Sequence, residues 1–216
     1  MRVFLTGGTG VLGRAVIPLL RAAGHEVEAP GRTELDLYDP AAVARAVAGA
    51  NAVLHLATRI PPLDRVEDRE AWRENDRLRT EASRLLVDAA LAGGSDVYVQ
   101  AAITFVLPAD RPVDEETPVG EVPDILRSVL DAEAETARFA AAGRRGVVLR
   151  FGYLDGPGTG NEEPNPMFGS TLHTEDAGHA LVAALPLPSG IYNVCRDGGH
   201  VSCERFKRAT GWAARS

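Results

Sequence analysis

Thr6-Gly7-Gly8-Thr9-Gly10-Val11-Leu12-Gly13 separates two stretches of different periodicity. Residues 1–6 form an apolar run typical of a strand, whereas residues 11–23 repeat apolar side chains at helical spacing. The glycines therefore lie at a strand-to-helix junction, and another strand candidate follows at residues 25–29. This is the context in which a glycine-rich loop binds the phosphates of a dinucleotide.

The glycines of this loop have distinct expected roles. Gly7 allows a tight turn, Gly10 lets the backbone approach a pyrophosphate, and Gly13 lets the helix pack closely on the strand. Free N–H groups and the positive dipole end of the helix would meet the phosphates. The residues predicted to contact the dinucleotide here are Gly7, Thr9, Gly10, Val11, Leu12 and Gly13. A purely structural glycine turn is the alternative.

Apolar β-like runs alternate with helical ones along the chain, which indicates a parallel sheet with helices on both faces. We therefore predict an α/β fold of the Rossmann type, a doubly wound parallel sheet. The predicted strands are 2–5, 26–29, 52–56, 96–100, 147–151 and 191–194, and the predicted helices are 11–23, 40–48, 69–91, 126–142, 174–184 and 202–210. Residues 155–170 are rich in Gly, Pro, Asn and Glu, which predicts an irregular connection.

Composition agrees with one globular domain and excludes other classes. The 216 residues, 45% of them apolar, can bury one substantial core. A net charge of -7 argues against a nucleic-acid surface, because phosphate binding needs clustered Lys and Arg. The apolar run at the amino terminus is too short to cross a membrane, so no membrane partner is predicted.

The cysteines and histidines predict no metal site. Cys195 and Cys203 lack CxxC spacing, which indicates reduced thiols in a cytoplasmic protein, with a disulfide between them as the alternative. The five histidines lack metal-ligand spacing. His55 lies on an apolar strand and is interpreted as a packed core residue rather than a ligand.

GxxGxxG spacing after a threonine resembles the loop of the extended short-chain dehydrogenase/reductase family, the nucleotide-sugar epimerases and dehydratases. Further segments resemble later landmarks of that family, namely residues 51–57, 114–118, 149–153, 156–158, 173–177 and 190–194. The resemblance implies a dinucleotide-binding core over residues 1–154. Residues 155–216 would form a short, reduced substrate lobe that returns to the same core. It also implies that the strand end at Leu56, Ala57 and Thr58 lies along the cofactor.

The end of the second predicted strand bears on cofactor choice. NAD binders usually carry an acidic residue there for the ribose hydroxyls, whereas this chain has Gly31 and Arg32. A guanidinium pairs well with a 2′-phosphate, so NADP is predicted over NAD. A solvated loop charge is the alternative for Arg32, and Glu28 and Glu34 keep NAD open.

Residues 31–37 also resemble the dTDP-4-dehydrorhamnose reductase branch of the family. That resemblance implies that Asp36 and Leu37 lie beside the adenine. A helix cap or a solvated turn residue is the alternative for Asp36.

Resemblance fails at the catalytic positions. Family members use a Tyr whose pKa is lowered by a Lys four residues later, with a Ser or Thr nearby. The corresponding helix has neither residue: Arg127 is predicted at the Tyr position, Asp131 at the Lys position, and Ala102 at the Ser position. Thr104 and Tyr153 are the candidate substitutes for proton transfer, with packing roles as their alternatives.

These residues support three functional hypotheses. The leading one is an NAD(P)-dependent oxidoreductase or epimerase/dehydratase-type enzyme, acting on a small carbonyl or nucleotide-sugar-like substrate without the usual Tyr and Lys. The alternatives are an NADP-sensing regulator like the NmrA-type relatives and a non-redox enzyme on the same scaffold. The resemblance also implies a homodimer through the predicted helices 69–91 and 126–142, with packing of the second helix on its own sheet as the alternative.

Overall fold

The computed structural model describes residues 1–215, apart from the side chains at positions 63 and 166. Its strands are β1 (Arg2–Thr6), β2 (Glu26–Glu28), β3 (Ala52–His55), β4 (Val97–Ile103), β5 (Arg145–Phe151), β6 (Tyr153–Asp155), β7 (Thr171–His173) and β8 (Gly190–Val194). Its α-helices are α1 (Val11–Ala22), α2 (Pro40–Val47), α3 (Arg73–Arg77), α4 (Ser83–Ala92), α5 (Arg127–Ala141), α6 (Thr174–Ala184) and α7 (Glu204–Thr210).

Six strands form one parallel sheet in the order β2-β1-β3-β4-β5-β8. Alternate side chains on these strands enter two apolar layers. Val99 and Leu149 belong to the layer that packs with α1 and α6, whereas Val53 and Tyr98 belong to the layer that packs with α2 and α4. The predicted doubly wound parallel sheet with helices on both faces is confirmed.

All six predicted strands lie in this sheet, although β4 runs on to Ile103 and β5 begins at Arg145. The connection after residue 155 is largely irregular, as expected, but it is flanked by a two-stranded parallel pair that was not predicted. In this pair β6 and β7 join Tyr153 to Thr171 and Asp155 to His173.

The predicted single helix over residues 69–91 is wrong in its interior. It begins as a 3-10 turn at Arg69–Trp72, continues as α3, and then forms a π turn at Leu78–Ala82 before α4. The carbonyl oxygen of Leu78 is bound by two side chains, His55 Nε2 at 2.9 Å and Ser83 Oγ at 3.3 Å. One contact from outside the helix, that of His55, therefore accompanies the wider turn.

Within residues 1–215 there is no helix of the length and apolarity needed to cross a membrane. The same residues contain no group of three or more His, Cys, Asp or Glu side chains arranged to hold a metal ion. Cys195 and Cys203 are buried free thiols with their sulfur atoms 3.6 Å apart.

Candidate functional site

The glycine loop between β1 and α1 packs against the end of β3. Gly7 has a φ of +77°, which favours glycine, and a Cβ there would lie 2.7 Å from the backbone nitrogen of Ala57. A Cβ on Gly13 would overlap the carbonyl oxygen of Gly7, and one on Gly10 would lie 3.1 Å from it. Glycine at these positions thus allows a tight loop and close packing of helix on strand.

The start of α1 is open for an anion. Gly10 occupies the N-cap position, and within the described chain no side chain caps this helix end. Val11 and Leu12 are half-buried and Thr9 is exposed. Backbone N–H groups at an uncapped helix start bind phosphate well. The loop and helix therefore fit the pyrophosphate of a dinucleotide.

The end of β3 is tied to the glycine loop through a buried histidine. Burial lowers the pKa of His55 to about 4, so its ring is neutral at physiological pH. The carbonyl of Leu78 can only accept, so Nε2 carries the proton and Nδ1 accepts from Thr6 Oγ1 at 2.6 Å. Thr6 Oγ1 in turn accepts from the N–H of Ala57 at 3.3 Å. His55 is thus a packed core residue, as predicted, and it links the end of β1 and the end of β3 to the π turn.

Beyond this network the end of β3 becomes progressively accessible. Leu56 is buried, Ala57 is half-buried and Thr58 is exposed. Ala57 therefore lies at the boundary between the core and the groove above the glycine loop, where the resemblance places the cofactor.

Arg32 lies beyond the end of β2, with 71% of its side chain exposed and its Nη2 3.7 Å from Glu74. The two acidic residues that kept NAD open have other partners. Glu28 pairs with Arg2 at 3.6 Å, and Glu34 accepts from the N–H of Gly31 at 2.6 Å. Arg32 is thus an exposed cation of this loop, in loose contact with Glu74, and the exposed Glu34 and Asp36 lie in the same loop.

Asp36 is exposed and accepts from the N–H of Tyr38 at 2.9 Å, which makes it a turn residue. Asp39 caps α2 instead, accepting from Ala41 at 2.9 Å. The helix-cap alternative for Asp36 is therefore wrong. Leu37 is half-buried against the apolar layer beside α2.

The two residues of α5 that were predicted at the catalytic positions lie on its exposed face. Arg127 and Asp131, predicted at the Tyr and Lys positions, are both exposed, and Arg127 pairs with Asp124 at 2.7 Å. The buried face of the helix instead carries Ser128, Val129, Ala132, Glu133, Thr136 and Phe139. The buried carboxylate of this helix is that of Glu133. No lysine of α5 replaces the missing one, because Lys207 on α7 is the only lysine of the chain, and it pairs with Asp197 and Glu204.

Ala102 is buried in β4 beside Arg150 of β5. Thr104 follows in a 3-10 turn and is 2% exposed, and its Oγ1 meets no hydrogen-bond partner among the described residues. Tyr153 is half-buried, and its hydroxyl accepts from Asn161 Nδ2 at 2.9 Å. The two candidate donors thus lie near the carboxyl ends of neighbouring strands, β4 and β5.

Three aromatic rings stack at this edge of the sheet. Tyr153 and Phe168 have ring centroids 3.7 Å apart, and Phe105 lies 5.8 Å from Phe168 and 6.2 Å from Tyr153. We call these three residues the aromatic platform. All three are half-buried, so the platform combines an apolar body with an accessible surface.

Sequence reasoning missed two buried arginines near this edge. Arg150 on β5 makes a two-point ion pair with Glu133 of α5, at 2.8 and 2.7 Å. Arg79 lies in the π turn and is 3% exposed, and its Nε and Nη1 lack a hydrogen-bond partner among the described residues. Both residues stand in segments of ordinary helical or strand periodicity, so no local signal marks them as buried.

We call the glycine loop at residues 6–13, together with the start of α1, the glycine cradle. The parallel sheet and this cradle define a dinucleotide-binding protein of the short-chain dehydrogenase/reductase type. The family model for the NAD dependent epimerase/dehydratase family matches residues 3–182, and the chain belongs to this family.

Two curated relatives of this chain are reductases with different names. The chain is 36% identical over 211 residues to a 3-diazoavenalumate denitrifying reductase of a Streptomyces species, covering 88% of this chain and 65% of the relative. It is 30% identical to a dTDP-4-dehydrorhamnose reductase of Streptomyces griseus, covering 92% of this chain and 71% of the relative. The chain thus spans about two thirds of the length of these relatives.

Solved structures share the fold. A short-chain dehydrogenase/reductase superfamily protein from Agrobacterium tumefaciens has a TM-score of 0.81 at 21% identity, with 100% of this chain and 93% of that chain covered. RMD from Pseudomonas aeruginosa has a TM-score of 0.78 at 19% identity, with coverages of 100% and 92%.

Proposed function

We propose that this chain is an NADP(H)-dependent reductase that acts on an electrophile needing hydride but no proton from a Tyr and Lys pair. The observation that carries the proposal is an intact glycine cradle beside an α5 whose buried face holds neither residue. Without that pair, ordinary carbonyl reduction would be slower by roughly a hundred- to ten-thousand-fold. A substrate that is already strongly electrophilic avoids this requirement.

The residues of the site fit a nicotinamide dinucleotide. Gly7, Gly10 and Gly13 leave room for the backbone approach, and the uncapped start of α1 offers N–H groups to the pyrophosphate. Arg32 is 71% exposed and only loosely paired with Glu74, so a 2′-phosphate could replace that contact, which favours NADP. Of the two solved structures described above, one holds NAD and the other NADPH, which supports this cofactor class. When bound, the reduced nicotinamide supplies a hydride.

The likeness to the 3-diazoavenalumate denitrifying reductase, which is 36% identical to this chain, supports a diazo compound as substrate. An arenediazonium accepts hydride at its terminal nitrogen to give an aryl diazene, which loses N2 and leaves a C–H bond where the C–N bond was. The reaction consumes one hydride for each diazonium group and needs no proton from an acid. This chain's part is to hold the substrate beside the cofactor and exclude water, for which the half-buried Tyr153 and Phe168 provide a flat apolar surface.

The proposal is tested by following the absorbance of NADPH in the presence of purified protein and a diazophenol carboxylic acid. We expect cofactor oxidation with release of N2 and formation of the dediazotised arene in equimolar amounts. A parallel panel of small carbonyls and nucleotide sugars tests the broader family chemistry. The Gly13→Ala variant, whose cradle is obstructed, serves as the control and should be inactive.

Two results would contradict the proposal. Oxidation of NADPH with carbonyls and none with the diazo compound would assign conventional family chemistry, with Thr104 or Tyr153 as the acid to be tested next. Tight NADPH binding without any turnover would favour the cofactor-sensing alternative, because a sensor needs the cradle and not the chemistry.

A further inference from the structure

The two cysteines of the chain meet inside the fold. Cys195 directly follows β8 and Cys203 directly precedes α7, and the residues are 0% and 2% exposed. Their sulfur atoms lie 3.6 Å apart, and Cys203 Sγ also lies 3.0 Å from the carbonyl oxygen of Cys195. A disulfide bond of about 2.05 Å requires the sulfur atoms to approach by about 1.5 Å, a movement that side-chain rotation can supply.

The two thiols are chemically unequal. Cys195 Sγ has two acceptors, namely Cys203 Sγ and the carbonyl oxygen of Val201 at 3.3 Å. Donation from the Cys195 thiol lowers the pKa of Cys203 against the opposing effect of burial, and the ammonium of Lys207 acts in the same direction as the donation. The same contact between the sulfur atoms raises the pKa of Cys195. Cys203 is therefore the thiol that ionises first and acts as the nucleophile, with Cys195 as its partner.

The segment between the cysteines packs along the residues that follow the aromatic platform. The N–H of Arg196 donates to the carbonyl of Thr171 at 2.8 Å, and the N–H of Val201 donates to Ser170 Oγ at 3.3 Å. Ser170 and Thr171 lie only two and three positions after Phe168, one ring of the platform. A covalent bond between the cysteines would therefore stiffen the segment next to the platform.

The cysteines also pack against the end of β4. Cys195 and Cys203 belong to one apolar cluster with Ala102 and Val106, and Phe105 of the aromatic platform packs against this cluster. The pair of thiols is thus part of the packing that supports the edge of the sheet where the candidate site lies.

The loop between the cysteines gives a small oxidant a route to them. Residues 197–199 are exposed, and Gly198 has a φ of +89°. Exposed loop residues make few buried apolar contacts, so a local opening of this loop needs little free energy. Such an opening admits a small, uncharged peroxide more readily than a bulky organic disulfide.

We propose that Cys195 and Cys203 are a redox modification site, which forms a reversible disulfide when the protein meets a peroxide. The Cys203 thiolate attacks one peroxide oxygen, the O–O bond breaks, and Cys203 becomes a sulfenic acid while hydroxide leaves and takes up the proton that Cys203 had lost. The Cys195 sulfur then attacks the Cys203 sulfur, the S–O bond breaks, and the proton of Cys195 leaves with that oxygen as a second water. Two thiols lose two electrons, and one peroxide is reduced to two waters. The proposal goes beyond the proposed function and does not depend on it.

The experiment treats the purified, reduced full chain with hydrogen peroxide and measures its intact mass. We expect the loss of two hydrogen atoms together with both titratable thiols, and dithiothreitol should restore both. Trypsin cuts after Arg196, between the cysteines, so a non-reducing digest should contain residues 151–196 joined to residues 197–205.

Matched single substitutions separate the two roles. In Cys195→Ser the sulfenic acid has no thiol partner, so the chain should gain one oxygen atom that dimedone traps. Cys203→Ser should react with peroxide at least about 10-fold more slowly, because the remaining thiol stays protonated. The mass of the wild type alone decides whether a disulfide forms, even where a substituted chain folds poorly.

The consequences for the fold are measured on the wild type before and after oxidation. Amide hydrogen exchange should slow in residues 168–171 and 196–203 and stay unchanged in residues 6–13. The oxidised chain should melt about 5 °C higher, because the cross-link restricts the unfolded chain.

Three results would overturn the proposal: intact thiols after an exposure that oxidises free cysteine, addition of oxygen to either cysteine of the wild type without a disulfide, or a disulfide that joins two chains into a dimer. None of these measurements involves oxidation of NADPH. The redox site therefore stands if the reductase proposal fails, and the reductase proposal stands if the cysteines do not react.

Discussion

At the scale of single residues, Arg32 is the group that we propose distinguishes NADPH from NADH. Its side chain is largely exposed and weakly engaged by Glu74, so a 2′-phosphate can displace that contact. We expect Arg32→Ala to lower NADPH affinity about 10-fold or more, the size of a lost charge-assisted pair, and to leave NADH affinity unchanged. Fluorescence titration with both cofactors measures this, and Arg21→Ala, an exposed arginine at the end of α1, is the control. Equal losses of affinity for NADH and NADPH would show that Arg32 does not bind the 2′-phosphate.

The Gly13→Ala substitution tests whether the close packing of the glycine cradle is needed for cofactor binding. A Cβ at this position would overlap the carbonyl oxygen of Gly7, and neither group can move without shifting the loop. We expect Gly13→Ala to weaken NADPH binding at least about 10-fold and to lower the melting temperature. Gly120→Ala is the matched control, since a Cβ there would meet only the Pro108 side chain at 4.0 Å. A Gly13→Ala variant with normal affinity would mean that the loop has more room than its geometry indicates.

At the scale of elements, His55 joins β1, β3 and the π turn, and it should make stability depend on pH. The folded-state pKa of His55 is lowered to about 4, so the unfolded chain binds the proton more readily. The stabilising contribution is complete above about pH 6.5 and is lost as the pH falls towards 4. Between pH 6.5 and pH 5 the loss should be about 2 kcal/mol. Urea denaturation at both pH values should show this drop in the wild type and a much smaller one in His55→Gln. The same pH dependence in both proteins would assign the effect to other groups.

The buried ion pair between Arg150 of β5 and Glu133 fixes α5 on the sheet. The two side chains are 3% and 8% exposed, so removing one leaves an uncompensated buried charge. Arg150→Met should lower the free energy of unfolding by about 3–5 kcal/mol. The double variant Arg150→Met with Glu133→Leu should recover most of that loss, because two apolar side chains then face each other. Chemical denaturation of the three proteins measures the coupling, and a double variant no more stable than Arg150→Met would contradict it.

These elements also show what the sequence can predict. The six strands were recognisable because parallel strands buried on both faces are continuous apolar runs. The π turn was not, because the hydrogen bond from His55 to Leu78 joins residues 23 positions apart. Arg79 was missed for the same reason: its burial is set by packing against α5, while its local sequence resembles an exposed amphipathic helix. The glycine loop was readable from sequence because its constraints are local.

At the scale of the whole molecule, the first and last parts of the chain meet at the cofactor cradle. A Cβ on Gly158 would overlap the guanidinium of Arg14, whose Nη1 donates to the carbonyl of Thr9 at 2.5 Å. The turn at residues 156–160 therefore lies against the start of α1. Asp155 directly precedes this turn and is buried. It accepts two hydrogen bonds from Arg196, at 2.5 and 2.8 Å, which fix the start of the turn.

Binding of a ligand at the glycine loop should therefore also change the dynamics of residues 153–161. We expect saturating NADPH to slow amide hydrogen exchange in residues 6–13 and also in residues 153–161, since ordering Arg14 removes an opening motion from the turn that packs on it. Hydrogen exchange with mass spectrometry resolves the two segments. In Arg14→Ala the first protection should persist while the second is lost. Protection confined to residues 6–13 in the wild type would show that the glycine loop and residues 153–161 are in contact without energetic coupling. The glycine loop would then bind its ligand independently of the turn that packs against α1.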